Sequence, residues 1–371
     1  MHGTKILEEA DRLMTVCNSC RYCEGLCAVF PAMEMRRSFA DGDLNYLANL
    51  CHGCGACYTD CQFSPPHEYN VNVPRTLAIA RAESYAAYAW PRAFAGLFAR
   101  NGLVIGMTAA LSVAAFIFGF AAFNGRQMQF GTHSGPGAFY ALMPHNAMAA
   151  LFGAALLYAI VALVMGVRAF WRDIGEPTSP LAEPGPLWQA TKDAGQLRYL
   201  DGGGVGCVNA DERPSDLRKL YHHLTFYGFL LCFAATCVAT LYHYLLAREA
   251  PYPWWDLPVL LGTLGGIGLL IGPVGLLAEK FKRDPALVDQ ARNGMDVAFI
   301  AMLFLTGLTG LALLLWRDSA AMGPLLALHL GFVFALFITL PYGKFVHGIY
   351  RFAALVRYAR ERRMTAREAL E

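Results

Sequence analysis

One spacing occurs twice near the start of this chain: Cys17-Asn18-Ser19-Cys20-Arg21-Tyr22-Cys23-Glu24-Gly25-Leu26-Cys27, then Cys51-His52-Gly53-Cys54-Gly55-Ala56-Cys57-Tyr58-Thr59-Asp60-Cys61. Both read C-x2-C-x2-C-x3-C. A [4Fe–4S] cube presents four irons to four thiolates. Three thiolates come from one tight C-x2-C-x2-C loop, and the fourth must approach from another direction. In a two-cluster arrangement the last cysteine of each motif ligates the cluster of the other. The pattern therefore assigns Cys17, Cys20, Cys23 and Cys61 to one cluster, and Cys51, Cys54, Cys57 and Cys27 to the second. Structural zinc takes four ligands, commonly as two separated C-x2-C pairs. It has no use for a third cysteine at the same step in both motifs.

Working outward, proline follows each motif only after four residues (Pro31, Pro65). The segment from Met33 to Leu50 reads as helix, turn at Asp41-Gly42-Asp43, then helix. That favours a helical ferredoxin domain, over residues 1–95, rather than the small β-rich kind. Met1 to Met14 is polar and reads as an amphipathic helix without the apolar stretch of a secretory signal. Eight of the 11 cysteines are thus expected to be metal-bound in a reducing cytoplasm rather than paired as disulfides.

Residues 96–371 have a different character. Hydrophobic residues make up 56% of the chain, charged ones only 16%, and the mean hydropathy is +0.36, which fits a membrane class. Six apolar runs, roughly 103–123, 146–168, 222–246, 257–278, 295–316 and 323–347, have the ~20 residues needed to cross a bilayer. A soluble helix keeps one polar face, whereas Leu103 to Phe123 carries no charge on any face. Far-side loops carry only Arg126, Arg248 and Arg317, while Lys280, Lys282, Arg283, Arg292 and the tail from Arg351 lie on the near side. By the positive-inside rule both termini are cytoplasmic. The expected fold is all-α: a helical ferredoxin domain with two [4Fe–4S] clusters, followed by a six-helix transmembrane bundle. With a net charge of +2, nucleic acid is not an expected partner.

Histidines inside membrane helices are costly and tend to be functional. His329 and His347, 18 residues apart, span five turns and are expected on one face of the sixth helix, near its two ends. The third run carries His222 and His223 at its near end and His243 at its far end. His222 returns closer to the face of His243 than His223 does. Antiparallel third and sixth helices would set His222 against His347 and His243 against His329, with His223 or His145 as substitutes. Such pairs are the axial ligands of a b-type haem inside a helix bundle, one or two in number. His52, His67 and His133 have no assigned role.

Cys232 and Cys237 read as packing residues in an apolar helix. Cys207 follows the run Gly202-Gly203-Gly204 in a near-side loop, 169–221, that is either functional or a flexible connector. The glycine run follows no strand pattern and is weak evidence for nucleotide binding. No P-loop, dinucleotide fingerprint or catalytic triad is present, so no organic-substrate site is expected.

The two cysteine motifs, six apolar runs, Leu197-Arg198-Tyr199-Leu200, Gly202 to Cys207, Asp211-Glu212-Arg213-Pro214-Ser215 and His222-His223 together resemble the tricarballylate-utilisation protein B family, also called citrate-utilisation protein B. The likeness covers nearly the whole chain. It implies an FAD-dependent, tricarballylate dehydrogenase-like partner whose reduced flavin is reoxidised here, with electrons passing to the quinone pool of a bacterial cytoplasmic membrane. A fused relative serves cobalamin ring synthesis, so a different flavoprotein is an alternative partner. The stretch from His329 through Leu340-Pro341-Tyr342-Gly343-Lys344-Phe345-Val346 to His347 also resembles the haem-ligating helix of respiratory nitrate reductase gamma subunits. Rival readings are a membrane-anchored redox sensor and a cluster-regulated transporter. The latter calls for broken helices and midplane polar residues, for which only Pro273 and Pro341 speak.

Overall fold

The computed structural model describes residues 2–177 and 183–368. Among these, regular structure is almost wholly helical; one short antiparallel pair joins Cys207–Val208 to Pro214–Ser215.

The chain begins with α1 (Lys5–Cys20), which starts where the Thr4 hydroxyl accepts the Leu7 N–H at 3.4 Å. Its stripe of Leu7, Ala10, Leu13 and Met14 is buried, the i, i+3, i+6, i+7 spacing of one helix face. Then come α2 (Val29–Glu34), α3 (Asp41–Leu50), α4 (Ala56–Thr59) and α5 (Val73–Tyr88). Asp41-Gly42-Asp43 is not the expected turn but the first turn of α3. Two carboxylates there favour the positive helix end, by roughly 0.3–1 kcal/mol each, and Asp43 accepts the Ala40 N–H at 3.3 Å. Gly42 sits between them because any Cβ would collide with the Asp173 carbonyl.

The second part runs through α6 (Asn101–Gln129), α7 (His145–Asp173), the short α8 (Pro184–Gly195), α9 (Leu217–Leu246), α10 (Leu257–Lys282), α11 (Asn293–Leu315), α12 (Met322–Thr339) and α13 (Val346–Glu368). Among the described residues six helices, α6, α7, α9, α10, α11 and α12, are long and apolar enough to cross a membrane. Helices α9 and α10 pack through glycines: Gly228 meets the backbone at Gly265 and Gly268 with no room for a Cβ, the small-residue approach common between membrane helices.

The sixth apolar run is not one helix. Helix α12 ends at Thr339, Leu340–Tyr342 form a 3-10 turn, Gly343 is extended, and α13 starts at Val346. Pro341 lacks the N–H that would continue the ladder and crowds the preceding turn. His329 and His347 therefore belong to different helices, and five straight turns do not relate them. Nor does α9 pack along α12: α9 lies against α10, and α12 against α6, α11 and α7.

The cysteine domain does not close on itself at residue 95. Its core continues into the end of α7 (Phe170, Trp171) and into α13 (Tyr350, Ala354, Val356). Polar contacts fix the same joint. Arg357 donates to the Ile174 carbonyl at 2.8 Å and to Glu361 at 2.9 Å, and Tyr46 donates to Glu361 at 2.9 Å.

Candidate metal centres

Each C-x2-C-x2-C loop occurs where a helix runs out. Cys17 and Cys20 occupy the last turn of α1, and Arg21 in the left-handed conformation turns the chain so that Cys23 comes back alongside. Cys51 follows the last residue of α3, while Cys57 lies on the single turn α4, whose approach is set by Gly55 at φ 94°.

The eight thiols line two separate cavities. Cys17, Cys20, Cys23 and Cys61 line a space of about 240 Å³, together with Cys57, Val16, Phe30, Asp60 and Phe63. Cys27, Cys51, Cys54 and Cys57 line a second, tighter cavity closed by Leu26, Val29 and Tyr199. The structure thus places the last cysteine of each motif beside the first three of the other. Among the described residues no three His, Cys, Asp or Glu side chains converge on one point as they would around a single ion. Burial pushes the free thiols up, Cys17 and Cys23 to about 12 and Cys54 to about 11. These are groups that become thiolates only when a metal replaces the proton.

The surroundings of the two cavities differ. Around the first, Tyr22 is 72% exposed, and Ser19, Glu24, Asp60 and Gln62 face outward. The second is roofed by the loop after α8. Val208 N–H donates to the Cys54 carbonyl at 2.9 Å, Gly202 packs on Cys54, and Cys207 is buried with its thiol directed at the Leu200 carbonyl, 3.0 Å away. Within the 169–221 segment, Tyr199, Gly202 and Val208 are thus folded onto this cavity, and Cys207 belongs to its roof.

Four arginines bind the carbonyls of the second loop. Arg218 donates to Gly53 at 3.0 Å and His52 at 3.3 Å, and Arg351 to Cys51 at 2.8 Å. Arg81 also reaches the Cys51 carbonyl, and Arg283 that of Gly53. Burial and neighbouring cations bring Arg283 down to about 9 and Arg351 to about 10, so both stay charged at neutral pH. Arg218 lies four residues before His222, and Arg351 four residues after His347.

His222 and His347 are brought together at the bundle end that carries the cysteine domain. Their ring centres are 6.1 Å apart at 71°. Imidazole nitrogens hold a metal at roughly 2 Å, so rings on either side of one iron stand with centres about 6 Å apart. His347 Nδ1 meets the Lys344 carbonyl at 2.5 Å, the kind of contact that fixes the tautomer of an axial ligand. His222 Nδ1 is buried without a partner. This pair fits a bis-histidine group.

The other histidines are placed differently from expectation. His243 lies against His145, rings stacked with centres 3.4 Å apart, which leaves no space for an iron between them. His329 points at Thr309, its Nδ1 3.1 Å from the hydroxyl. The expected His243–His329 pair is absent because α9 and α12 are not packed neighbours and the two residues lie at different depths in their helices. His223 lies near Tyr227 rather than His347. Cys232 is half-buried and Cys237 exposed, both on α9.

A helical domain with ferredoxin-type cysteine motifs, set on six membrane-length helices, defines the class: an iron–sulfur protein of the membrane-anchored kind. Residues 10–87 match the citrate utilization protein B Fer4-like domain, and residues 97–368 match citrate utilization protein B. Citrate utilization protein B of Escherichia coli is 49% identical over 356 residues, covering 96% of this chain and 92% of that one. The chain belongs to the citrate utilization protein B family. No solved structure matches it.

Sequence reasoning missed the four arginines and the roof over the second cavity. For Arg218 and Arg351 a signal existed, since each stands one helical turn from a candidate ligand. Arg81 and Arg283 reach the loop only through the tertiary fold.

Proposed function

We propose that the chain carries electrons from the reduced FAD of a partner dehydrogenase, of the tricarballylate-oxidising kind, to the membrane quinone pool. Two [4Fe–4S] clusters, one held by Cys17, Cys20, Cys23 and Cys61 and one by Cys51, Cys54, Cys57 and Cys27, together with b haem, would supply the one-electron steps that link a two-electron flavin to a two-electron quinone. The thiols of the first cavity are half-buried but bordered by the exposed residues Tyr22, Glu24, Asp60 and Gln62, a side from which a flavoprotein could approach. The second loop is tied by Arg218 and Arg351 to the two helices that bear His222 and His347. That continuity, from loop carbonyl through arginine to histidine within single helical turns, is the observation that carries the reading. His222 and His347 would hold haem b near the cytoplasmic face, with the Lys344 carbonyl orienting one ring. Arg-rich near-side loops support cytoplasmic termini in a bacterial inner membrane. The organic substrate is oxidised on the partner.

The test is a reduced-minus-oxidised visible spectrum of the detergent-purified protein with an iron count and a pyridine haemochrome assay. About eight non-haem irons with a b-haem band that His222→Ala and His347→Ala abolish, and His223→Ala retains, is the expected result. Zinc in place of iron, or a protein with no haem, overturns the route into the bilayer.

A further inference from the structure

The arginines around the second cavity have no acidic partner. Among the described residues, Arg81, Arg218, Arg283 and Arg351 enter no ion pair, whereas Arg36, Arg357 and Arg360 nearby are all paired to Asp or Glu. All four are partly buried, and partly desolvated charges without a counter-ion are costly. Four together, on four different helices or their ends (α5, α9, α10 and α13), call for an anion at the point where they converge. That point is the loop Cys51 to Gly53, whose carbonyls take up the guanidinium hydrogens. The Gly53 N–H is also turned on the Cys51 sulfur, at 3.3 Å. The first cavity has the opposite character: its wall includes Asp60, which opposes charge on Cys23.

We propose that Arg81, Arg218, Arg283 and Arg351 serve to raise the reduction potential of the group held by Cys51, Cys54, Cys57 and Cys27 above that of the group held by Cys17, Cys20, Cys23 and Cys61. This rests on the two-cluster reading above. Four thiolates on a cube leave a net negative charge, and each one-electron reduction adds another. Fixed cations favour the more negative, reduced form, and charge and hydrogen bonding around the sulfurs are recognised determinants of cluster potential. The solvent-screened outer site beside Asp60 gains no such help. With the four arginines on the inner side only, transfer of an electron from a group held by the outer thiols to one held by the inner thiols would be downhill, toward His222 and His347. Arg218 and Arg351 act as positioning residues as well, since each joins the loop to a histidine-bearing helix.

The experiment is a potentiometric titration of the full-length protein in detergent, followed by electron paramagnetic resonance, on wild type, Arg218→Gln and Arg218→Lys. Wild type should titrate in two waves. In Arg218→Gln the upper wave should move down so that the reduced-to-oxidised ratio at fixed potential falls about tenfold, which is 59 mV for one electron. The lower wave should stay in place, and Arg218→Lys should restore the upper wave. An unmoved upper wave, or movement of the lower wave alone, overturns the proposal. Where Arg218→Gln does not keep its iron, Arg81→Gln carries the same expectation from a different helix, and an unmoved upper wave there is equally decisive against it. A wild-type protein purified without iron–sulfur signals is a different failure, that of the two-cluster reading itself.

Discussion

At the scale of single residues, the exchange of last cysteines is the sharpest feature. Cys27 stands with Cys51, Cys54 and Cys57, and Cys61 with Cys17, Cys20 and Cys23, although each belongs by sequence to the other motif. A Cys27→Ser variant should therefore lose the inner cluster while keeping the outer one. Iron should fall from about eight to about four per chain, and the resonance that disappears should be the one Arg218→Gln shifts. If Cys27→Ser instead removes the outer signal, the ligand assignment is reversed. The spacing alone led to the expectation of this grouping of thiols, because three thiolates in one tight loop cannot surround a cube. The second histidine pair was not readable in the same way. Period arithmetic placed His243 opposite His329, but a residue's angular position on its own helix says nothing about which helix lies beside it.

At the scale of elements, the roof over the inner cavity is the part that sequence left open. Residues 197–208 carry a glycine run that resembles a flexible connector, yet Gly203 is at φ 79° with a would-be Cβ only 2.9 Å from the Gly25 carbonyl oxygen and 3.0 Å from that of Leu26. Gly204 is at φ 97° but has open space around it. Both positions disfavour a side chain by roughly 1–2 kcal/mol through backbone conformation; only Gly203 adds a collision with the first motif. Gly203→Ala should accordingly lower the temperature at which cluster absorbance is lost by several degrees more than Gly204→Ala does, measured by thermal bleaching of the visible spectrum. Equal effects would mean that the loop does not bear on the first motif. The break between α12 and α13 belongs here too. Pro341 was visible as a possible interruption, but the apolar run continued past it, and hydropathy is blind to a lost backbone N–H.

Seen whole, the chain is two parts sharing one core. Val346, Tyr350, Ala354, Val356 and Tyr358 of α13 are buried with α1, α3 and α5, and Arg357 bridges Asp43, Ile174 and Glu361. Residues 1–95 expressed alone should therefore fail to fold as an iron-retaining unit. Each large apolar side chain left uncovered forgoes roughly 1.5–3 kcal/mol, and a small domain is only marginally stable to begin with. Truncation after Lys344 should have the same consequence in the full chain, read as loss of non-haem iron and rapid proteolysis of the N-terminal part, with the six apolar helices still inserted. Retention of both clusters by either fragment would show the shared core to be dispensable.

Local chemistry and composition determined the class of this protein. Cysteine spacing pointed to the ferredoxin-like domain, and unbroken apolar runs set the number of membrane-length helices, because both are properties of short stretches read against a fixed geometry. The His222–His347 pair was legible for a similar reason: each lies at the near end of an apolar segment. What only the tertiary structure decided is which helices are neighbours. That choice separated His243 from His329, placed α13 in the core of the cysteine domain, and brought four arginines from distant positions onto one loop. Helix packing depends on the fit of whole faces, such as Gly228 against Gly265 and Gly268, and that fit is a property of pairs of elements that neither sequence segment carries by itself.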